Sequence, residues 1–262
     1  MRPVFLSVAG SDCSAGAGLQ ADLKTGYALG CYPLTAVSCV VNEVPGRVEG
    51  IVPMSADFTA AQMRLCLESF PVSAVKLGML YSADIVRAVA ETLRGRRLPV
   101  VTDPVMIATA GEPLMQQAAV GVYERELIPL TTLLTPNRDE LETLLGCTPL
   151  RSVAELREAA EALCARYGCA ILAKGGHIEG DSCTDILARP GADTLSWSHP
   201  RTTGISTHGT GCTLSSAVTA FLAHGKPLEE AVPLALDYVA SAIARSHHLG
   251  TRPALNHNTA RP

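Results

Sequence analysis

None of the nine cysteines (Cys13, Cys31, Cys39, Cys66, Cys147, Cys164, Cys169, Cys183 and Cys212) falls in a Cys-x-x-Cys pair, and their number is odd. That weighs against both a disulfide framework and a structural zinc site. Reduced, mostly buried thiols in a cytosolic chain are the expectation. Basic runs interleaved with aromatics are also missing, and the formal net charge is −4. A nucleic-acid partner, which needs a basic surface, is therefore not expected. No apolar run is long. Residues 4–9 reach Gly10 and Ser11 almost at once, too soon for a secretory core or a membrane span, and they read as a buried strand. Neither a repeat nor a low-complexity tract divides the sequence, so one domain over residues 1–262 is expected.

What is present suits a soluble α/β protein. Of the 262 residues, 47% are hydrophobic and 18% charged, ordinary values that leave little room for disorder. Short apolar runs at 4–9, 34–41, 72–77, 98–102, 132–135 and 170–173 alternate with amphipathic stretches, the pattern of βα units around a mostly parallel sheet. Ser82 is the expected N-cap of a helix through Leu93. Ser152 with Glu155 makes a capping box that opens a helix toward Tyr167, and Gly168 follows its end. Residues 183–189 and 194–199 read as an edge hairpin around Pro190-Gly191. A strongly apolar helix is expected over 213–223 and a last one over 228–244, with an irregular tail after Gly250. The predicted architecture is a three-layer α/β/α sandwich with ligands at the carboxyl ends of the strands.

Five segments carry candidate chemistry. Ser206-Thr207-His208-Gly209-Thr210-Gly211-Cys212-Thr213 sets two glycines before an apolar helix. Its unpaired first-turn N–H groups and dipole favour an anion. Cys212 lies at that helix start, a setting that lowers a thiol pKa and suits a general base; a buried structural cysteine is the alternative. Gly10-Ser11-Asp12 and Ser14-Ala15-Gly16-Ala17-Gly18 follow the first strand and precede Asp22. No Gly-Lys-Ser/Thr follows, so this is not a P-loop, and it falls short of G-x-G-x-x-G. A substrate-facing loop is the better reading. Asp103 ends one apolar strand. Asn137 and Glu140, three apart on one helix face, follow another, and such a pair could hold hydrated Mg²⁺. Lys174, before Gly175 and Gly176, offers a cation for a nucleotide phosphate. All five belong to the same sheet edge. Together they supply metal, phosphate, cation and base sites for phosphoryl transfer.

The order of six segments, AGSDCSAGAGLQADLKT, VKLGML, DPVMIATAGEPLM, LTPNRDELETLLG, AKGGHIEGDSCTDIL and HGTGCTLSSA, resembles the hydroxymethylpyrimidine and phosphomethylpyrimidine kinases of thiamine biosynthesis. These belong to the ribokinase-like superfamily. The resemblance implies ATP and Mg²⁺ as cofactors and two successive transfers, first to the alcohol and then to its monophosphate. It places Cys212 as base and Gly209, Thr210 and Gly211 as the anion hole. Lys174 falls at the nucleotide phosphates with Thr213 on the same side, and Asp103 and Glu140 near the metal. Gly10, Asp22, Met79 and Val105 fall at the pyrimidine pocket. It also implies a cytosolic enzyme, often a homodimer, with no nucleic-acid or membrane partner.

One departure stands out. Where the family carries Ala-Gln-Asn-Thr, this chain reads Val41-Asn42-Glu43-Val44-Pro45-Gly46-Arg47, with Glu43 at the ring-binding glutamine. Glutamine offers a donor and an acceptor, whereas an ionised glutamate only accepts. An aminopyrimidine would then need a protonated ring or a protonated Glu43, and Arg47 is a candidate to offset the charge. A Glu43 turned to solvent is the bland alternative. A pyridoxine or pyridoxal kinase stays open as a second enzyme reading. A non-catalytic binding protein is disfavoured by the intact set Gly209, Gly211, Cys212, Lys174, Asp103 and Glu140.

Overall fold

The computed structural model describes residues 2–106, 114–147, 149–202, 208–249 and 252–258. In chain order the elements are β1 (Val4–Asp12), α1 (Gly18–Ala28), β2 (Tyr32–Val44), β3 (Arg47–Pro53), α2 (Ala56–Ser69), β4 (Val72–Leu77), α3 (Ala83–Leu93) and β5 (Val100–Thr102). They continue with α4 (Gln117–Val122), β6 (Leu133–Leu134), α5 (Arg138–Leu145), α6 (Val153–Tyr167), β7 (Ala170–Ala173), β8 (Ser182–Arg189) and β9 (Ala192–Pro200). The last are α7 (Thr210–Ala223), α8 (Leu228–Ala244), β10 (His247–Leu249) and β11 (Arg252–Ala254).

One nine-stranded sheet runs in the order β3-β2-β1-β4-β5-β6-β7-β8-β9. Strands β2, β1, β4, β5, β6 and β7 pair in parallel, and β3, β8 and β9 extend the two edges antiparallel. Alternation along each strand feeds two cores. Leu6, Val75, Leu77, Val100, Leu134 and Ile171 pack with α3, α5 and α6. Their neighbours Val101, Leu133, Ala170 and Leu172 pack with α7 and α8. A parallel sheet covered on both faces needs apolar side chains at both parities, which is why these strands read as continuous apolar runs. The three-layer α/β/α arrangement is as expected.

The helix caps hold too. The Ser82 hydroxyl accepts from Ile85 N–H, and the Ser152–Glu155 capping box is complete, with Gly168 left-handed at the end of α6. Three expectations need correction. First, α7 opens at Thr210 rather than at 213, because Gly209, at φ +82°, takes the left-handed conformation that turns the chain into the helix. Second, the stretch 41–48 is a long hairpin: β2 continues to Val44 and pairs with β3, Glu43 lying opposite Val48. Third, the tail is not wholly irregular, since β11 pairs antiparallel with β10. Residues 107–113 of the DPVMIATAGEPLM segment, Ser206-Thr207 and Gly250 lie outside the described residues.

Candidate active site

The parallel strands end side by side, so the residues just past each one line a single cavity of about 390 Å³. At one end lies a cation between two carboxylates. Asp103 follows β5, Glu140 sits in the first turn of α5 after β6, and Lys174 follows β7, bridged to Asn137. Lys174 Nζ is 2.9 Å from Asp103 Oδ1 and 4.0 Å from Glu140 Oε2. Thr135 donates its hydroxyl to the same Asp103 oxygen at 3.2 Å. Burial opposes the Lys174 ammonium, but Asp103 and Glu140 outweigh it and hold its pKa above the ordinary lysine value. Burial also holds Glu140 above the usual carboxylate range, with Lys174 pulling the other way. Glu140 has a second task, accepting the Asn137 N–H in the α5 capping box. Glycines shape this end. A β-carbon on Gly175 would lie 2.0 Å from the Thr184 carbonyl oxygen, and one on Gly211 would lie 3.2 Å from Lys174 Nζ. The α7 first turn therefore rests directly over the Lys174–Asp103 pair.

The two glycine-rich loops, distant in sequence, clasp one another. Asp12, the last residue of β1, accepts from Ser14 N–H and hydroxyl, from Gly16 and Ala17 N–H, and stands 3.1 Å from His208 Nε2. Burial would raise its pKa; the His208, Ser14 and Ala17 hydrogen bonds prevail and bring it down to about 2. A β-carbon on Gly209 would lie 1.9 Å from the Gly16 carbonyl oxygen. One on Gly18 would lie 2.3 Å from the Gly10 carbonyl oxygen.

Cys212 sits in the α7 first turn on the cavity wall, half-buried, with Gly18 N–H, at the start of α1, hydrogen-bonding it. The expectation of a lowered thiol pKa is reversed. Burial pushes it up to about 11, with Asp22 and Asp103 adding to the rise, while Lys76 and the Gly18 N–H pull only part of the way back.

The other end of the cavity is apolar. Cys39, Val41, Met79 and Leu114 form a buried cluster backed by Val48, Ile51, Tyr81 and Val105. A β-carbon on Gly10 would come within 2.9 Å of Cys39 Sγ and 3.5 Å of Met79 Sδ. Glu43 reaches this wall from the β2–β3 hairpin. Burial raises its pKa, the negative Asp12 adds to the rise, and His208 opposes it. Arg47 lines the cavity too but pairs with Glu49, at 3.3 Å, and not with Glu43.

Gly10, Glu43, Met79, Asp103, Val105, Glu140, Lys174, Gly209, Thr210, Gly211 and Cys212 thus share one cavity. Asp22 and Thr213 do not line it. Asp22 is fully buried, and its carboxylate is taken by Lys76 and by the hydroxyls of Ser7 and Ser216. Thr213 is fully buried one turn into α7, bonded to the Gly209 carbonyl and to His257. Lys76, His208 and Leu114 are wall residues that the sequence reading did not single out. Lys76 had a signal: a lysine inside the apolar run Val75-Lys76-Leu77 of a central strand needs a buried partner. The pair Asp103 and Glu140 fits a hydrated Mg²⁺, which binds through one or two carboxylates and substrate phosphates and needs no larger cage. Among the described residues no group of three or more His, Cys, Asp or Glu forms such a cage. None of the described helices is long and apolar enough to cross a membrane.

Residues 12–256 match the phosphomethylpyrimidine kinase family. The chain is 38% identical over 249 residues to the hydroxymethylpyrimidine/phosphomethylpyrimidine kinase of Rhizobium meliloti, covering 95% of this chain and 93% of that one. It is 39% identical over 277 residues to the putative hydroxymethylpyrimidine/phosphomethylpyrimidine kinase 2 of Schizosaccharomyces pombe. That alignment covers 98% of this chain and 50% of the relative, so this chain spans half of the fission-yeast protein's length. Among solved structures, the ADP complex of Bacillus subtilis pyridoxal kinase superimposes with a TM-score of 0.90 at 32% identity, covering 100% of this chain and 99% of that one. With a family match over most of its length and the ribokinase-like fold around the site, the chain belongs to the phosphomethylpyrimidine kinase family and is a kinase.

Proposed function

We propose that this chain, acting as a single kinase domain, transfers the γ-phosphoryl group of ATP to 4-amino-5-hydroxymethyl-2-methylpyrimidine, and then to the resulting monophosphate, for thiamine biosynthesis. The observation that carries this reading is the order of parts along one cavity. From the apolar chamber, contacts run Gly10 to Gly18, Gly18 to Cys212, and then the adjacent Gly211 to Lys174. A flat ring seated at Met79 and Val105 puts its hydroxymethyl group beside Cys212. A nucleotide at Lys174 puts its terminal phosphate under the α7 first turn.

In the transfer, the acceptor oxygen forms a bond to the γ-phosphorus and the bond from that phosphorus to the β,γ-bridging oxygen breaks. The electron pair leaves with ADP, and the hydroxyl proton passes to Cys212, which serves as base only after its own thiol proton, held by a pKa that burial pushes up to about 11, has left to solvent. The N–H groups of Gly209, Thr210 and Gly211 receive the charge on the transferred group. Lys174 neutralises nucleotide phosphate. Asp103 and Glu140 would hold Mg²⁺, which supplies further neutralisation of the phosphates when bound. Thr213 serves the nucleotide only indirectly, by holding the Gly209 carbonyl at 2.8 Å.

Glu43 recognises the ring edge. Its raised pKa favours a proton shared between the carboxyl and a ring nitrogen, and a carboxylic acid offers one donor and one acceptor, as glutamine does. The chain works as a cytosolic homodimer. Support for the dimer comes from an apolar outer face: the cross-strand pair Val40–Val52, the stacked Tyr32 and Phe70, and Phe58 and Leu65 of α2 are all exposed.

A second reading, a pyridoxine or pyridoxal kinase, is favoured by one observation, the full-length likeness to the Bacillus pyridoxal kinase. The test incubates the protein with Mg-ATP and, separately, hydroxymethylpyrimidine, its monophosphate and pyridoxine, resolving products by mass. Mono- and diphosphate from the pyrimidine support the first reading. Turnover of pyridoxine alone overturns it in favour of the second.

A further inference from the structure

After Lys174, residues 175–181 form the loop that joins β7 to β8, and its Gly176 and His177 line the cavity. Two points of the loop are anchored within the fold. Gly175 donates its N–H to the Asp185 carboxylate at 2.9 Å, and the Ile178 side chain is buried in the core shared with α5 and α6. Packing does not hold the rest: among the described residues, a β-carbon on Gly176 or on Gly180 would meet nothing within 4 Å. Two guanidinium groups hold it instead. Arg201, directly after β9, spreads its fork over three carbonyls. Its Nε donates to Gly180 at 2.7 Å, its Nη1 to Gly176 at 2.8 Å and its Nη2 to Ile178. The Arg201 backbone N–H adds a fourth bond, to the Asp181 carbonyl at 2.9 Å. Arg138, at the start of α5, takes the remaining carbonyl between them, its Nη1 donating to His177 at 2.9 Å. Its Nε and Nη2 donate to Oδ1 of Asp139, another cavity-lining residue, at 2.9 and 2.8 Å. The second Asp139 oxygen lies 3.3 Å from His177 Nδ1. Neither arginine is among the residues that line the cavity.

We infer that Arg201, assisted by Arg138, is a positioning residue for the nucleotide, its fork fixing the 175–181 loop with the carbonyls turned to guanidinium groups outside the cavity. The inference rests on the reading of the Lys174 end as the nucleotide end. A polyphosphate is repelled by carbonyl oxygens that face it, so a loop beside it must point those dipoles elsewhere. The carbonyls of Gly176, His177, Ile178 and Gly180 are all engaged, each by a charge-assisted bond to an arginine. Conformational entropy gives a second reason. Gly175, Gly176 and Gly180 make this a loop with much freedom to lose. Ordering it in advance removes that cost from nucleotide binding. Lysine cannot replace the fork, because an ammonium presents its donors from one compact point and a guanidinium spreads them in a plane.

The test reads nucleotide binding without turnover. ADP with excess Mg²⁺ and, separately, hydroxymethylpyrimidine are titrated calorimetrically into the intact wild type, R201M, R201K and K174M, with a thermal melt of each. R201M should bind ADP about tenfold more weakly, while its affinity for the pyrimidine stays within about twofold of wild type. R201K keeps the charge and loses the fork, so a loss of at least about threefold in ADP affinity is expected. In turnover, both variants should raise the KM for ATP with kcat at saturating ATP little changed. A fold that is merely loosened would lower kcat and pyrimidine affinity as well, and that pattern overturns the inference. Wild-type ADP affinity in folded R201M overturns it too, and so does wild-type affinity in R201K, which would leave a charge effect alone. If R201M does not fold, R201K decides by the same criterion. The two readings fail separately. Unchanged ADP affinity in K174M removes the nucleotide end itself, whereas weakened binding in K174M beside wild-type binding in R201M removes Arg201 alone.

Discussion

Gly209 rests against the Gly16 carbonyl so closely that a β-carbon at 209 would lie 1.9 Å from that oxygen. This contact joins the loop before α7 to the loop before α1, and the His208–Asp12 pair fastens the same junction. Both loops border the place where the transferred phosphoryl group is proposed to sit. G209A therefore meets two obstacles, a backbone clash and a φ of +82°. The expected outcome is about a 100-fold loss of kcat from a misplaced first turn of α7. A thermal melt should show a lowered but cooperative transition. A variant with unchanged kcat would show that the junction does not shape the phosphoryl site.

Stability should fall on mild acidification, through His257. This residue is buried, with Nε2 3.1 Å from the Thr213 hydroxyl, while Tyr238 donates to its carbonyl. Burial brings its pKa down to about 4, and the nearby Lys24 charge acts the same way. The native state thus refuses a proton that the unfolded chain takes up below about pH 6.5. Its contribution is complete above about pH 6.5 and is lost as pH falls toward 4, up to about 3 kcal/mol. Urea unfolding should lose that increment in the wild type and much less of it in H257N. Asp12 acts separately and lower, because its depressed pKa removes stability only as pH falls from 3.8 toward 2.

Glu43 makes recognition of the ring pH-dependent if a shared proton is what binds it. Calorimetric titration with hydroxymethylpyrimidine should show wild-type affinity falling about tenfold per pH unit once pH exceeds the raised Glu43 value. E43Q carries its own donor and should bind with a flat profile. Matching profiles would turn Glu43 out of the ring site.

The apolar outer face makes a separate claim. Val52 and Leu65 are 64% and 67% exposed, far from the values of core residues. Placing charge there, as V52D or L65E, should convert a dimer to a monomer in sedimentation velocity while changing monomer stability by less than about 1 kcal/mol. A wild-type chain that already sediments as a monomer would remove the proposal.

Much of the architecture was legible in local patterns, because the causes are local. Apolar runs such as 72–77 and 170–173 are strands buried on two faces, and Ser82 and Ser152 satisfy N–H groups within one turn of themselves. The same holds for Asp103, Glu140, Lys174 and the glycines before Cys212, each set at the end of an apolar strand or the start of a helix, where the parallel topology gathers ligands. Sequence motifs also carried the family, which the matches to known kinases bear out.

What the chain could not disclose by itself depends on residues that meet only in three dimensions. The family resemblance sets Asp22 at the pyrimidine pocket, but Lys76, 54 positions away, claims it and withdraws it from the cavity. Cys212 begins a helix, and that local fact favours a thiolate. The sheet and helices packed around it take water away, and desolvation outweighs the dipole. Sequence determined which groups stand at the sheet edge, since periodicity and capping act within a few residues. Tertiary structure decided which of them face the cavity and which charges they keep, since burial and ion pairing are set by neighbours that only the fold brings together.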